Sequence, residues 1–377
     1  MGIIPVMRVN YTLTQLVWAL LINDNKDIYR RRLETQIRDF FDVDNVALTS
    51  SCRTATYMLL KTLPQKKVIV PAYTCGVVVE AALLANKEII FEPVNPDDLN
   101  AVSYSKAGPD SIVIATHQYG IPCNIKRIVS DCHKVGALVI EDCAGSFGAS
   151  EDGQLTGTFG DYGVFSLSAS KTLHSPTKGG FIISKTNTIP KYLSNGLRTH
   201  DIKFKVAQIL KGIGFCLNKS PIVCNVLSRL YNHHRKVIAE VNSNVKMEQT
   251  YYHPFYEWQA YIVSKQFDEI RDIIARRKEL ELCYNQCLNN PFIKQFRSRE
   301  GDVRIRYAVL VQNRKKFVNQ ARKEGIQIEC GYDVIYCPTM FQQERIVIES
   351  IVYLPFGNCY TDKEIKRVID FVNNYRV

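Results

Sequence analysis

No Cys-x-x-Cys pair occurs among the 12 cysteines, and no Cys/His pair follows at the spacing of a zinc site. The thiols are scattered along the chain, so they read as reduced, mostly buried side chains rather than a disulfide framework. Cys283 and Cys287, four apart on an expected helix, have core spacing. Gly-x-Gly-x-x-Gly and Walker-type phosphate loops are also missing, which removes the main support for dinucleotide oxidoreductases and P-loop enzymes. Long apolar runs are absent too, and the stretch from Leu16 to Ile22 is far too short to span a bilayer. The N-terminus carries neither the charged region nor the cleavage site of a signal peptide, and position 6 lacks the Ser or Thr of a myristoylation signal at Gly2. The expected location is the cytoplasm. No internal repeat or low-complexity tract interrupts the chain.

What is present is an ordinary globular composition over 377 residues, enough for two or three domains or for one large domain with an appendage. The formal net charge of +11 favours anionic partners. A phosphate cofactor, a nucleotide diphosphate, nucleic acid or an acidic membrane all fit, and charge alone does not choose among them.

Between residues 52 and 310, short apolar runs alternate with helical patterns. Lys67–Val70, Glu88–Phe91, Ser111–Thr116 and Ala137–Glu141 predict buried strands, and Thr74–Ala85 and Asn124–Val135 predict helices between them. This alternation implies βαβ units and an α/β fold with a largely parallel sheet. Tyr162–Ser168 and Gly180–Ser184 read as two further strands around a loop rich in Ser, Lys, Pro and Gly. The pattern breaks at about 201–240, where lysines and arginines intersperse apolar residues. This segment is either a pair of basic amphipathic helices touching anionic lipid or, the preferred reading, an insertion at a subunit contact or over the active site. Gly212, Gly214 and Pro221 are expected to interrupt any long helix there. The large domain is thus expected to cover 1–245 and a small C-terminal α+β domain 246–377. In the latter, Trp258–Asn289 predicts one long connecting helix, followed by a strand at Ile305–Val311, a helix at Arg314–Lys323, strands at Ile326–Cys330 and Ile346–Leu354, and a last helix from Asp362.

Ligands of open α/β sheets sit beyond the carboxyl ends of the strands. Ala137-Leu-Val-Ile-Glu-Asp142 ends one strand in a carboxylate, and Phe165-Ser-Leu-Ser-Ala-Ser-Lys171 ends another in a hydroxyl-rich turn leading to a lysine. Pyridoxal-phosphate (PLP) chemistry needs these two groups: an amine to form the Schiff base and a carboxylate to keep the pyridine nitrogen protonated. Taken singly, an Asp after a strand is more often a cap or turn residue, and a loop Lys a solvated one.

The combination resembles the DegT/DnrJ/EryC1/StrS family. The motifs that carry the resemblance are Val139-Ile-Glu-Asp-Cys-Ala-Gly-Ser-Phe-Gly-Ala149, Gly160-Asp-Tyr-Gly-Val-Phe-Ser-Leu-Ser-Ala-Ser-Lys171 and Lys178-Gly-Gly180. Thr49-Ser-Ser-Cys-Arg-Thr-Ala55, Val70-Pro-Ala-Tyr-Thr74, His117-Gln-Tyr-Gly120 and Leu354-Pro355 follow the family's order. The resemblance implies a fold-type-I PLP-dependent transferase, Lys171 as the Schiff-base lysine, Asp142 on the pyridine nitrogen and Ser166 on the cofactor phosphate. It places Ser51, Cys52 and Arg53 in the phosphate-binding turn at a helix N-terminus, where backbone N–H groups favour an anion. It further implies amino transfer from glutamate to a nucleotide-linked keto sugar, by way of pyridoxamine phosphate, in a homodimer with active sites near the subunit boundary. Nucleic acid is not an expected partner, and membrane contact is the less favoured alternative.

The chain departs from the family where Cys52-Arg53 replaces the usual Gly-Thr. Arg53 either adds a charge-assisted phosphate contact or forms a surface ion pair. Gly145 stands where a glutamine commonly approaches the cofactor ring, and Cys75 where an aromatic residue often stacks on it, so that Tyr73 or another residue would substitute. The asparagine lent to the neighbouring subunit falls near Tyr252 and His253, and a substrate-side histidine near Met340. His117 either lines the pocket or is a satisfied structural histidine, and His200 matches a family segment without a catalytic assignment. Two rival readings remain. A PLP- or pyridoxamine-phosphate-dependent sugar dehydratase would carry histidine in place of Lys171. A degenerate paralogue acting as a regulatory subunit would tolerate the changes at 52, 75 and 145.

Overall fold

The computed structural model describes residues 2–189, 202–218 and 253–377, together with 223, 237–239, 241 and 245–246. The apolar runs of the first half become strands β1 (Asn45–Thr49), β2 (Lys67–Pro71), β3 (Glu88–Glu92), β4 (Ser111–Thr116) and β5 (Leu138–Asp142). They are followed by the short hairpin β6 (Ser150–Glu151) and β7 (Gln154–Leu155), then β8 (Tyr162–Ser166) and β9 (Gly180–Ser184). Seven of these form one sheet in the order β1-β9-β8-β5-β4-β2-β3. The β8-β5-β4-β2-β3 run is parallel, and β9 lies antiparallel to both neighbours. All six residues of β4 are buried, as expected of a strand covered on both faces.

One face is packed by Ala55, Leu59 and Leu60 of helix Cys52–Thr62 and by Val78, Val79 and Ala82 of helix Gly76–Leu84. Elsewhere Ile125, Ile128 and Cys132 of helix Ile125–Lys134 cluster with Ile69, Val113 and Val139. Leu33, Ile37 and Phe41 of helix Ile28–Phe41 join Ala260, Val263 and Phe267 of helix Glu257–Phe267 against Phe165 and Phe181. Phe165 and Phe181, paired across β8 and β9, stack with ring centroids 4.5 Å apart.

In the last third, β10 (Val237–Ala239) pairs in parallel with β13 (Val334–Tyr336). A three-stranded antiparallel sheet, β11 (Ile293–Gln295), β12 (Tyr307–Val311) and β14 (Ile351–Leu354), packs on helices Ile270–Cys287, Arg314–Lys323 and Asp362–Asn374.

Four expectations need correction. The connecting helix is two helices, Glu257–Phe267 and Ile270–Cys287, parted at Asp268-Glu269. Residues 326–330 make only isolated bridges, Ile326 to Ile4 and Glu329 to Tyr353, and no strand. The run 346–354 divides into the end of helix Gln342–Ser350 and β14. Helix Ile202–Cys216 continues through Gly212 and Gly214. A Cβ on Gly212 would stand 3.0 Å from Pro176 Cβ and 3.1 Å from Leu16 Cδ2, so the glycine permits close packing there. Most of the remaining 201–240 stretch, with His200 and Tyr252, lies outside the described residues. Among the described residues, no helix is long and apolar enough to cross a membrane.

Candidate active site

The carboxyl ends of β5 and β8 bring the two predicted groups into one electrostatic neighbourhood. Asp142, the last residue of β5, is buried, and its Oδ1 accepts the Ala144 N–H at 3.0 Å. Its Oδ2 has no hydrogen-bond partner among the described residues. Burial pushes the Asp142 carboxyl up, against the Ala144 N–H, Lys171 and His117, which lower it. Burial likewise pushes the Lys171 amine down. Arg306 acts in the same direction, whereas Cys75, Cys52 and Asp142 oppose it. Each group is therefore shifted towards its neutral form, as carboxylates and amines are when water is withdrawn.

Glu141, one residue earlier, serves the opposite face of the strand. Its Oε1 accepts the N–H groups of Phe159 and Gly160, both at 2.7 Å. Its Oε2 accepts Gly157 N–H at 2.8 Å and His117 Nε2 at 3.0 Å. The Cys123 N–H donates to His117 Nδ1 at 3.1 Å, which places the ring proton on Nε2. His117 is thus a satisfied structural histidine behind the site.

Ser51, Cys52 and Arg53 lie at the N-terminus of helix Cys52–Thr62. Ser51 is its N-cap, with Oγ accepting the Thr54 N–H at 3.1 Å, and the positive end of the helix dipole favours an anion here. Gly180 joins this turn to β8. A Cβ there would lie 2.5 Å from Cys52 N, 2.7 Å from Ser51 C and 2.8 Å from Phe165 O. Ser166, paired with Gly180 in the sheet, has its Oγ 3.2 Å from Ser168 Oγ. An Arg53 nitrogen lies 3.4 Å from Glu80, the ion-pair alternative for this side chain. Cys75 is the N-cap of helix Gly76–Leu84 and half-buried; burial raises its thiol, with Lys171 and Asp142 within electrostatic reach. A Cβ on Gly145 would make ordinary contacts, 3.4 Å from Ile305 Cγ2 and 3.7 Å from His117 O.

Several residues of the site were not identified from sequence. Tyr332 stacks on Tyr119 at 5.8 Å, lies 5.6 Å from Tyr73, and donates its hydroxyl to Gln118 Oε1 at 2.8 Å. Tyr119 in turn bonds Tyr353 through their hydroxyls at 2.8 Å. Arg306 lies over the Tyr353 ring at 4.7 Å and pairs with Glu329 at 2.7 Å. Arg306, Glu329, Tyr332 and Tyr353 come from segments more than 150 positions from Asp142, beyond any local pattern. The one sequence cue was Gly331, whose φ of +66° turns the chain just before Tyr332. Met340, in the position of the expected histidine, is exposed.

The set fits pyridoxal phosphate. Buried Asp142 leaves one carboxylate oxygen without a partner among the described residues for a protonated ring nitrogen, an amine shifted down by burial is within its field, and a capped helix N-terminus adjoins the end of β8.

Residues 24–373 match the model of the DegT/DnrJ/EryC1/StrS aminotransferase family. A UDP-N-acetyl-3-dehydro-α-D-glucosamine 3-aminotransferase of Acidithiobacillus ferrooxidans is 31% identical over 179 residues, 45% of this chain and 48% of that protein. The chain thus spans about half the length of that relative. A dTDP-3-amino-3,6-dideoxy-α-D-galactopyranose transaminase of Aneurinibacillus thermoaerophilus is 24% identical over 82% of this chain and 78% of its own. A sugar aminotransferase of Streptococcus pneumoniae in its PLP form superposes with a TM-score of 0.72 at 16% identity, covering 98% of both chains. At that identity the likeness shows the fold, which is that of fold-type-I PLP-dependent transferases.

Proposed function

The chain belongs to the DegT/DnrJ/EryC1/StrS aminotransferase family, and from that premise we propose that it transfers an amino group from glutamate to a nucleotide-linked keto sugar with the aid of pyridoxal phosphate. The observation that carries the reading is the convergence of buried Asp142 and neutral-shifted Lys171 beside the Ser51-capped helix. When bound, pyridoxal phosphate supplies a carbonyl for amines and a protonated ring that withdraws electrons from the reacting carbon.

Asp142 would hold that ring proton through Oδ2, since a protonated ring nitrogen would offset the cost of burying the carboxylate. Lys171, whose amine is shifted down by burial and by Arg306, would serve as the nucleophile and as the base that moves the proton between carbon atoms. The turn containing Ser51, Cys52 and Arg53 at the helix N-terminus, together with Ser166, would hold the phosphate. With Cys75 and Gly145 supplying no aromatic or amide, Tyr332, backed by fully buried Tyr73, would supply the aromatic wall. A lysine at position 171 favours amino transfer over the dehydratase alternative, which uses histidine there.

The same proposal takes the cofactor-binding part as 1–245 and the smaller part as 246–377, with helix Glu257–Phe267 resting on the larger part. It also includes a cytoplasmic homodimer. The exposed apolar side chains Val17, Trp18 and Leu21 on the uncharged helix Leu13–Leu21 support a protein contact there.

A panel of nucleotide-linked keto sugars, incubated with glutamate and the PLP-loaded protein and read by mass spectrometry, tests the reading. One or more should be converted to the amino sugar, with 2-oxoglutarate released. A fully loaded protein that aminates none of them would refute it.

A further inference from the structure

We propose that His174, a buried histidine with no part in the chemistry above, is a positioning residue that clamps the backbone of Lys171. The inference rests on Lys171 being the imine-forming lysine. The segment 167–179 carries Lys171 between β8 and β9 without regular secondary structure, so its shape depends on individual hydrogen bonds. The Lys171 N–H donates to Ser168 O at 2.9 Å. The Lys171 carbonyl accepts His174 Nδ1–H at 2.8 Å.

Only one arrangement of the ring satisfies its surroundings. A carbonyl can only accept, so the proton sits on Nδ1. The other nitrogen, Nε2, then accepts the Asn10 N–H at 3.0 Å. Burial holds the imidazole down at about 4, with the Lys171 carbonyl opposing and Arg277 assisting that shift. The ring is therefore neutral near pH 7, and its single N–H is committed to Lys171.

The histidine is itself fixed. Its N–H donates to Gln266 Oε1 at 3.2 Å, and its carbonyl accepts Gln266 Nε2 at 2.6 Å. The Tyr11 ring meets it edge-on at 5.5 Å. Asn10 adds a second hold, donating its side-chain Nδ2 to Thr172 O at 3.0 Å, and it is anchored through Cys359 Sγ at 3.1 Å. Two successive carbonyls, 171 and 172, are thus oriented by residues that touch neither cofactor nor substrate. With the Lys171 N–H and carbonyl both held, the Cα from which its side chain reaches is fixed in place. Misplacing a reacting group by about 1 Å costs on the order of a hundredfold in rate.

The test compares His174→Asn with His174→Gln in the PLP-loaded full chain. Asparagine puts an amide N–H near the Nδ1 position and can still donate to Lys171 O. Glutamine reaches the Nε2 position and cannot. Both are polar and of similar size, and His174→Leu serves as the extreme case. Three quantities are measured: the pH titration of the cofactor's absorbance band, the rate of borohydride trapping at Lys171, and kcat with KM for each substrate. The Gln variant should shift the titration, slow trapping and lower kcat by about tenfold to a hundredfold with KM little changed, whereas Asn should retain wild-type values. Equal behaviour of the two variants, whether both normal or both impaired, would overturn the clamp. Failure of the wild type itself to be trapped at Lys171 would instead strike the functional reading.

Discussion

Asp142 and Glu141 are adjacent carboxylates at the end of one strand, and the fold uses up only one of them. Strand alternation sends the two side chains to opposite faces. Glu141 is saturated by three backbone N–H groups and His117, all within 3.0 Å. Among the described residues Asp142 accepts only the Ala144 N–H, and it is pushed up by burial. A carboxylate left so poorly compensated is costly unless a cation completes it, and a protonated pyridine is such a cation. Asp142→Asn keeps the shape and the Ala144 contact but removes the charge. It should lower kcat and kcat/KM together, on the order of a hundredfold or more, with the cofactor still bound. Steady-state kinetics on the loaded variant are the check, and near-wild-type turnover would remove Asp142 from its assignment. Lys171 is the complementary case, an amine whose burial lowers it towards the range of a working nucleophile.

The phosphate turn depends on how β8, β9 and helix Cys52–Thr62 meet. Gly180 sits where the three converge, and an added Cβ would strike backbone atoms of Ser51, Cys52 and Phe165, all closer than 3.0 Å. Backbone cannot rotate away as a side chain can. Gly180→Ala should therefore destabilise the protein by about 1–3 kcal/mol and weaken cofactor binding by displacing the turn. Gly108→Ala, where nothing lies within 4 Å, is the control. Denaturant unfolding and PLP titration on both variants measure the difference.

These strands were legible because each is a short run with an apolar centre, Val68–Val70 in β2 and Leu138–Ile140 in β5 for example, and the two candidate groups, Asp142 and Lys171, lie at or just beyond the ends of β5 and β8. Later elements were less so. Ile346 to Leu354 is apolar enough for a strand, yet its first half is helical, closed by Ser350 Oγ donating to Ile346 O at 2.8 Å. A short apolar run does not distinguish the two states. The break at Asp268-Glu269 leaves the helical period almost intact on both sides and so gives no signal. Residues 326–330 touch Ile4 at one end and Tyr353 at the other, contacts set by distant partners. Tyr332 and Arg306 were missed for the same reason: each meets its partners, Gln118 and Tyr119 for the first and Glu329 and Tyr353 for the second, only across the fold.

The whole molecule assembles the site from both parts of the chain. Lys171, Asp142, Ser166 and the helix N-terminus come from the large sheet and its flanks, while Arg306, Glu329, Tyr332 and Tyr353 come from the smaller sheet and its connections. The N-terminal segment links the two. Arg8 pairs with Glu364 at 2.7 Å and bonds Cys359 O at 3.0 Å, and two residues later Asn10 reaches the loop that carries Lys171. The formal charge of +11 suits a diphosphate-bearing substrate approaching this junction. Every step of the account depends on one covalent attachment. The purified protein is loaded with PLP, reduced with borohydride, digested and mapped by mass spectrometry, with Lys171→Ala as the parallel sample. The account predicts a phosphopyridoxyl mass on the peptide containing Lys171, absent from the variant, which should stay folded and lose turnover. A stoichiometric label on another lysine, or a Lys171→Ala protein that still turns over, would contradict it.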